Sequence, residues 1–150
     1  MDENQLGAWM TQEYAKVNQL AHHLGEQVVL IPTAARGPWL TELGIRFDHF
    51  AAHLRRMMAI AAEDGYLLPV LEKRPTLSKE VERLRLEHDQ FRRLMDNLHD
   101  AIRALKPDEQ LLIRDCCARV QAFLGHVQRH QEHETHMVQY TLNQDIGTDH

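Results

Sequence analysis

Residues 113–141, IRDCCARVQAFLGHVQRHQEHETHMVQYT, decide the fold. The line Ile113, Cys116, Val120, Phe123, Val127, His130, Glu134, Met137, Thr141 advances in alternating steps of three and four, which keeps its side chains on one face of an α-helix. A stripe so long and narrow is a seam between packed helices, so the stretch predicts a long helix within a bundle. Two consecutive seam positions, His130 and Glu134, are polar.

Working outward, Pro107 precedes this helix, and Asp108 and Glu109 suit the positive end of its dipole, so a start just after Pro107 is predicted. On the far side of Lys106-Pro107 a second line reads Val81, Leu84, His88, Phe91, Met95, Leu98, Ile102, Leu105, with Thr76 or Ser78 as its N-cap. Nearer the N-terminus, Leu40, Leu43, Phe47, Phe50, Leu54, Met57 and Ala61 mark a helix from about Trp39 to Glu63. Met10, Tyr14, Val17, Ala21, Leu24 and Val28 mark another that starts near Asp2, where Asp2 and Gln5 make a capping box, and runs to about Val29.

Pro32, Gly37-Pro38, the Gly65 to Thr76 stretch and Pro107 separate these four segments, and alternating β-branched runs are missing. The prediction is an all-α, antiparallel up-down four-helix bundle forming one domain over residues 1–150. Short links make helices one and two, and three and four, antiparallel neighbours; the longer link, with Tyr66, Leu67, Leu68, Val70 and Leu71, packs over one end.

Composition excludes several classes of function. A net charge of −5 with scattered Lys and Arg leaves no basic stripe for phosphates, so no nucleic-acid partner is expected. No apolar run approaches the roughly 20 residues that cross a bilayer, and Met1-Asp2-Glu3-Asn4 lacks the marks of a signal peptide. Cys116 and Cys117 are adjacent and fall in a helix, which fits a reducing, cytoplasmic setting better than a disulfide or a cysteine metal site. Nucleophilic triads and Gly-rich phosphate loops are absent, so enzyme chemistry would have to come from a metal, and a non-enzymatic role is the expectation.

Eleven histidines are the unusual feature, and their positions sort them. Folding back at Lys106-Pro107, with equal rise per residue in both helices, puts His88 level with residues 126 to 130. His88, His130 and Glu134 then meet on apolar seams, where unpaired polar groups cost roughly 1–3 kcal/mol each. A transition metal would satisfy all three, and His with Glu is a donor set that iron, manganese and zinc accept. His49 points away from its seam, His53 lies at its flank, and His22, His23, His126, His133, His136 and His150 read as solvated or rim residues.

Leu86-Glu87-His88, His130-Gln131-Glu132-His133-Glu134 and the tail Asn143-Gln144-Asp145-Ile146-Gly147 resemble the hemerythrin HHE cation-binding family, as do Gly65-Tyr66-Leu67 and the Leu71 to Pro75 link. The resemblance implies a metal centre, typically di-iron, with His88, His130 and Glu134 as ligands from the last two helices. It also exposes departures. Where the family has Glu-His in helix one, this chain has Glu13-Tyr14, and where helix two should offer His-x-x-x-Glu-Glu it has Met57-Met58-Ala59-Ile60-Ala61-Ala62. Tyr14 becomes a fourth candidate ligand, since a phenolate can bind ferric iron.

The implied cofactor is iron, mononuclear or in an incomplete di-iron centre, with manganese or zinc accepted by the same donors, or no metal at all. The implied partners are a metal ion or a small diatomic ligand such as oxygen or nitric oxide, in a sensor of those or of redox state. Two readings stand beside this one: a metal-free bundle serving as an interaction or scaffold module for a protein partner, and a metalloenzyme handling peroxide or oxygen.

Overall fold

The computed structural model describes residues 3–63 and 67–148. Five helices follow in order: α1 Glu3–Val29, α2 Arg36–Glu63, the short α3 Leu67–Lys73, α4 Ser78–Ala104 and α5 Gln110–Thr148. Among the described residues there is no strand. The four long helices form the antiparallel bundle: α1 and α4 each pack on both α2 and α5, as in a square whose diagonal pairs do not approach.

The seams read from the sequence are the buried faces. Val81, Leu84, His88, Phe91, Met95, Leu98 and Ile102 are the buried residues of α4. Every seam position of α2, and every one of α5 from Ile113 to Thr141, is buried. In α1, Met10, Val17, Leu24 and Val28 are buried, while Tyr14 and Ala21 are partly covered and pack against the core. The main cluster centres on Phe47, Phe50, Phe91 and Phe123; a second, beyond the polar level, joins Met10, Ala61, Leu67, Val70, Val81, Leu84, Met137 and Val138. Leu67 and Val70 close that end of the bundle, as the apolar character of the link predicts.

Four local expectations are corrected. The α2 helix begins at Arg36 rather than Trp39, because Pro38 sits in the first turn, where a missing N–H costs nothing. The break lies just before it, where Ala35 takes a left-handed φ of 54°. Leu77, not Thr76 or Ser78, occupies the N-cap of α4 without a side-chain bond, because the 3-10 turn Pro75–Leu77 leads directly into the helix. The α5 helix begins at Gln110; Asp108 and Glu109 belong to the turn before it, where Glu109 Oε1 accepts a bond from the Lys106 amide at 2.9 Å. The link between α2 and α4 carries a helical turn of its own, α3. The capping box at Asp2 lies outside the described residues, as do the turn residues Asp64, Gly65 and Tyr66.

No described helix is long and apolar enough to cross a membrane.

Candidate metal centre

The two C-terminal long helices meet at the predicted level. His88 from α4 and His130 from α5 face each other with Nε2 atoms 3.1 Å apart and ring centroids at 4.9 Å. Glu134, one turn beyond His130 on the same face, places Oε1 3.2 Å from His130 Nε2 and Oε2 3.7 Å from His88 Nε2. The three donor atoms lie within 4.8 Å of one another, and each residue is at most 2% exposed.

Tyr14 comes in from α1 on the other side of Glu134. Its hydroxyl donates to Glu134 Oε1 at 3.0 Å. Phe91 sets the edge of its ring against His130, with centroids 5.0 Å apart and planes at 76°, and so fixes the imidazole from the core side.

Burial dominates the protonation of this cluster. It pulls His88 down to about 3, helped by the neighbouring His130 and Arg92, and His130 down to about 4, helped by His133. Burial pushes Glu134 up to about 8, opposed only in part by the Tyr14 hydrogen bond. Burial, reinforced by the charge of Glu134, holds the Tyr14 proton far above the usual phenol range. At neutral pH without a cation the cluster is therefore uncharged: two neutral imidazoles, a carboxylic acid and a phenol.

The donor set fits one metal ion. The three atoms are convergent, two nitrogens and an oxygen, and among the described residues no lysine or arginine is bonded to them. On α2, Met57, Met58 and Ala61 are buried hydrocarbon and thioether.

His150 lies outside the described residues; the other off-seam histidines named from the sequence fall where their angles put them, with one correction. His22 and His23 on α1, and His126 and His136 on α5, are exposed; His22 pairs with Glu26 at 2.7 Å and Arg129 reaches His126 at 2.8 Å. His133 is half-buried and meets Glu80 at 3.0 Å. His53, expected at the rim, is buried at 8% exposure with Nε2 3.1 Å from Glu13 Oε2. The flank of α2 faces α1, so a residue off the central seam is still covered by the adjacent helix. Burial lowers the His53 pKa while Glu13 pulls it back up. Replacing His53 by alanine strands the Glu13 carboxylate, and thermal or urea melts should show a loss of about 1 kcal/mol, the lower end of the range for a buried group left unpaired. A variant as stable as the parent would mean Glu13 has other partners.

Cys116 is buried on its seam as expected, and Cys117 is buried beside it. Burial raises both thiols, Cys117 to about 11, which leaves little thiolate for redox or metal chemistry. Trp9 and Trp39 are partly buried and pack against the core.

A groove of about 850 Å³ runs between α1 and α5, lined among others by Tyr14, Ala21, Gly25, Gln131 and Thr135. Tyr14, which bonds Glu134, is thus part of its wall.

A four-helix bundle that converges buried imidazoles and a carboxylate at mid-height belongs to the class of carboxylate-histidine metal bundles. The sequence matches the hemerythrin HHE cation-binding domain over residues 10–140, and the chain belongs to that family. No curated protein and no solved structure matches it.

Proposed function

We propose that this chain is a cytoplasmic hemerythrin-like module that holds a single transition-metal ion, iron in the first instance, at His88, His130 and Glu134. In this reading the part of the family's centre contributed by α1 and α2 has been lost. The carrying observation is the convergence of three fully buried donors with no lysine or arginine bonded to them among the described residues. A bound iron ion supplies a redox-active centre able to take a small diatomic ligand such as oxygen or nitric oxide, which makes sensing of those or of redox state the role that fits.

The chain's own residues do the rest. Glu134 gives up its proton when it becomes a ligand, which makes uptake release a proton. Tyr14 retains its proton and steadies Glu134 Oε1 from outside, so its part in the set runs through the carboxylate. Phe91 and the surrounding core keep bulk water away from the imidazoles. The groove between α1 and α5 offers a small ligand an approach as far as Tyr14.

A second reading is a metal-free bundle acting as an interaction module. Its support is the apolar filling at Met57 and Ala61, together with the hydrogen bonds by which Tyr14, Glu134 and the histidines already engage one another. Elemental analysis of protein purified without a His tag separates the two. The metal-binding reading expects one iron, manganese or zinc ion per chain, lost in the His88→Ala, His130→Ala double variant. Metal-free protein whose stability is indifferent to a chelator would establish the second reading instead.

A further inference from the structure

His130 has two ring nitrogens, and only one of them faces the centre. Its Nε2 lies 3.1 Å from His88 Nε2 and 3.2 Å from Glu134 Oε1, so a neutral imidazole that acts as a donor there must carry its proton on Nδ1. That Nδ1 is buried, and among the described residues it has no hydrogen-bond partner of good geometry, not even a backbone carbonyl. One carboxylate approaches it: Glu87 Oε1 stands 3.4 Å away.

Glu87 is placed for this. It precedes His88 on α4, so the helix sends one side chain into the centre and the next toward the α4–α5 seam beside His130. Its side chain is 29% exposed and lies at the solvent edge of that seam. The 3.4 Å separation is only a little longer than an ordinary N–H···O hydrogen bond.

We infer that Glu87 is a positioning residue for the centre: it accepts a hydrogen bond from His130 Nδ1–H and thereby fixes the tautomer whose Nε2 lone pair points at His88 and Glu134. The tautomer itself depends on no metal; only the consequence for metal affinity rests on the metal-binding reading. Carboxylates that hold the outer nitrogen of a ligating histidine are typically worth 10–100-fold in affinity.

The test uses the full chain in wild-type, Glu87→Ala and Glu87→Gln forms. Long-range proton–nitrogen correlation spectra of the metal-free protein report which nitrogen of His130 is protonated, and backbone amide spectra report that the fold is kept. The Nδ1–H form should dominate in wild type, lose its dominance in Glu87→Ala, and return in Glu87→Gln, whose carbonyl oxygen still accepts. Zinc titration by competition with a chromophoric chelator should show affinity falling by about 10–100-fold in Glu87→Ala and largely recovering in Glu87→Gln. An unchanged His130 tautomer in Glu87→Ala overturns the positioning role whatever the zinc result. A wild-type protein that takes up no zinc, but whose tautomer shifts in Glu87→Ala, overturns the metal-binding reading and upholds the positioning role.

Discussion

Phe123→Ala should destabilise the protein by about 3–5 kcal/mol, the range for removing a buried aromatic ring from a close-packed core. Phe123 is 2% exposed and sits where three faces of the bundle meet. Its ring lies 6.4 Å from Phe47 and 6.2 Å from Phe50 on α2, and 5.8 Å from Phe91 on α4, the last two edge-on. These are near-optimal aromatic contacts, and a methyl group in place of the ring leaves a void bounded by rigid rings from two other helices. Little collapse is available, so the cost should fall in the upper half of the range. For a chain of this size the melting temperature should drop on the order of 10 °C.

The same substitution should reach the polar level. Phe91 touches Phe123 on one side and His130 on the other, at 5.8 and 5.0 Å, so loosening Phe91 frees the His130 ring. Chemical denaturation followed by circular dichroism gives the stability, and the line width of the His130 imidazole resonances gives the local freedom. A loss below about 1 kcal/mol would mean that α5 is not packed with Phe123 at its centre. Phe123→Leu, which keeps most of the volume, should cost much less.

Why Phe123 and His130 could be read in advance is a matter of periodicity. The α5 seam runs without interruption through both, and a step of three or four names a buried face without knowledge of the partner. The register between His88 and His130 followed from one proline turn and the constant rise of two helices, which is why those residues meet as expected. What the pattern could not show are the contacts made by residues off the seam. His53 is covered because a helix in a square bundle has two neighbours, so its buried face is wider than its central line. Glu87 reaches His130 along the α4–α5 seam, a contact set by side-chain direction and not by spacing. The α2 start was misplaced for a different reason: Gly-Pro reads as a break, yet proline within a first turn is compatible with helix. Departures at Tyr14, Met57 and Ala61 were legible only against the family pattern, since each is an ordinary bundle residue when taken alone.

The metal-free protein should be most stable near pH 6.5 and lose about 1 kcal/mol by pH 8. Three buried groups at the centre dominate this profile, and His53, whose pKa burial also lowers, adds to its rising limb. His88 and His130 titrate near 3 and 4 in the folded chain against 6.5 when unfolded, so between those limits the unfolded state binds more protons and stability rises with pH. Glu134 has the opposite sign. Its folded value of about 8 lies above the unfolded 4.5, so the native state holds the extra proton and stability falls as pH climbs through that window. From 4.5 to 6.5 two histidines outweigh one carboxyl and the net slope is upward. Above 6.5 the unfolded histidines lose their remaining protons, Glu134 increasingly outweighs them, and the slope turns down.

Urea midpoints between pH 5 and 9 in the presence of a chelator should trace that maximum. Glu134→Gln should flatten the alkaline limb, because glutamine keeps an acceptor for the Tyr14 hydroxyl but has no proton to lose. Excess zinc should reverse the limb in wild type, since the cation binds the deprotonated carboxylate and its stabilisation grows as that form becomes easier to reach. A flat profile from 6.5 to 8, or an alkaline decline that survives in Glu134→Gln, would show that the carboxyl at the heart of the bundle ionises as freely as one in water. The convergence of His88, His130 and Glu134 would then carry no electrostatic tension for a cation to relieve.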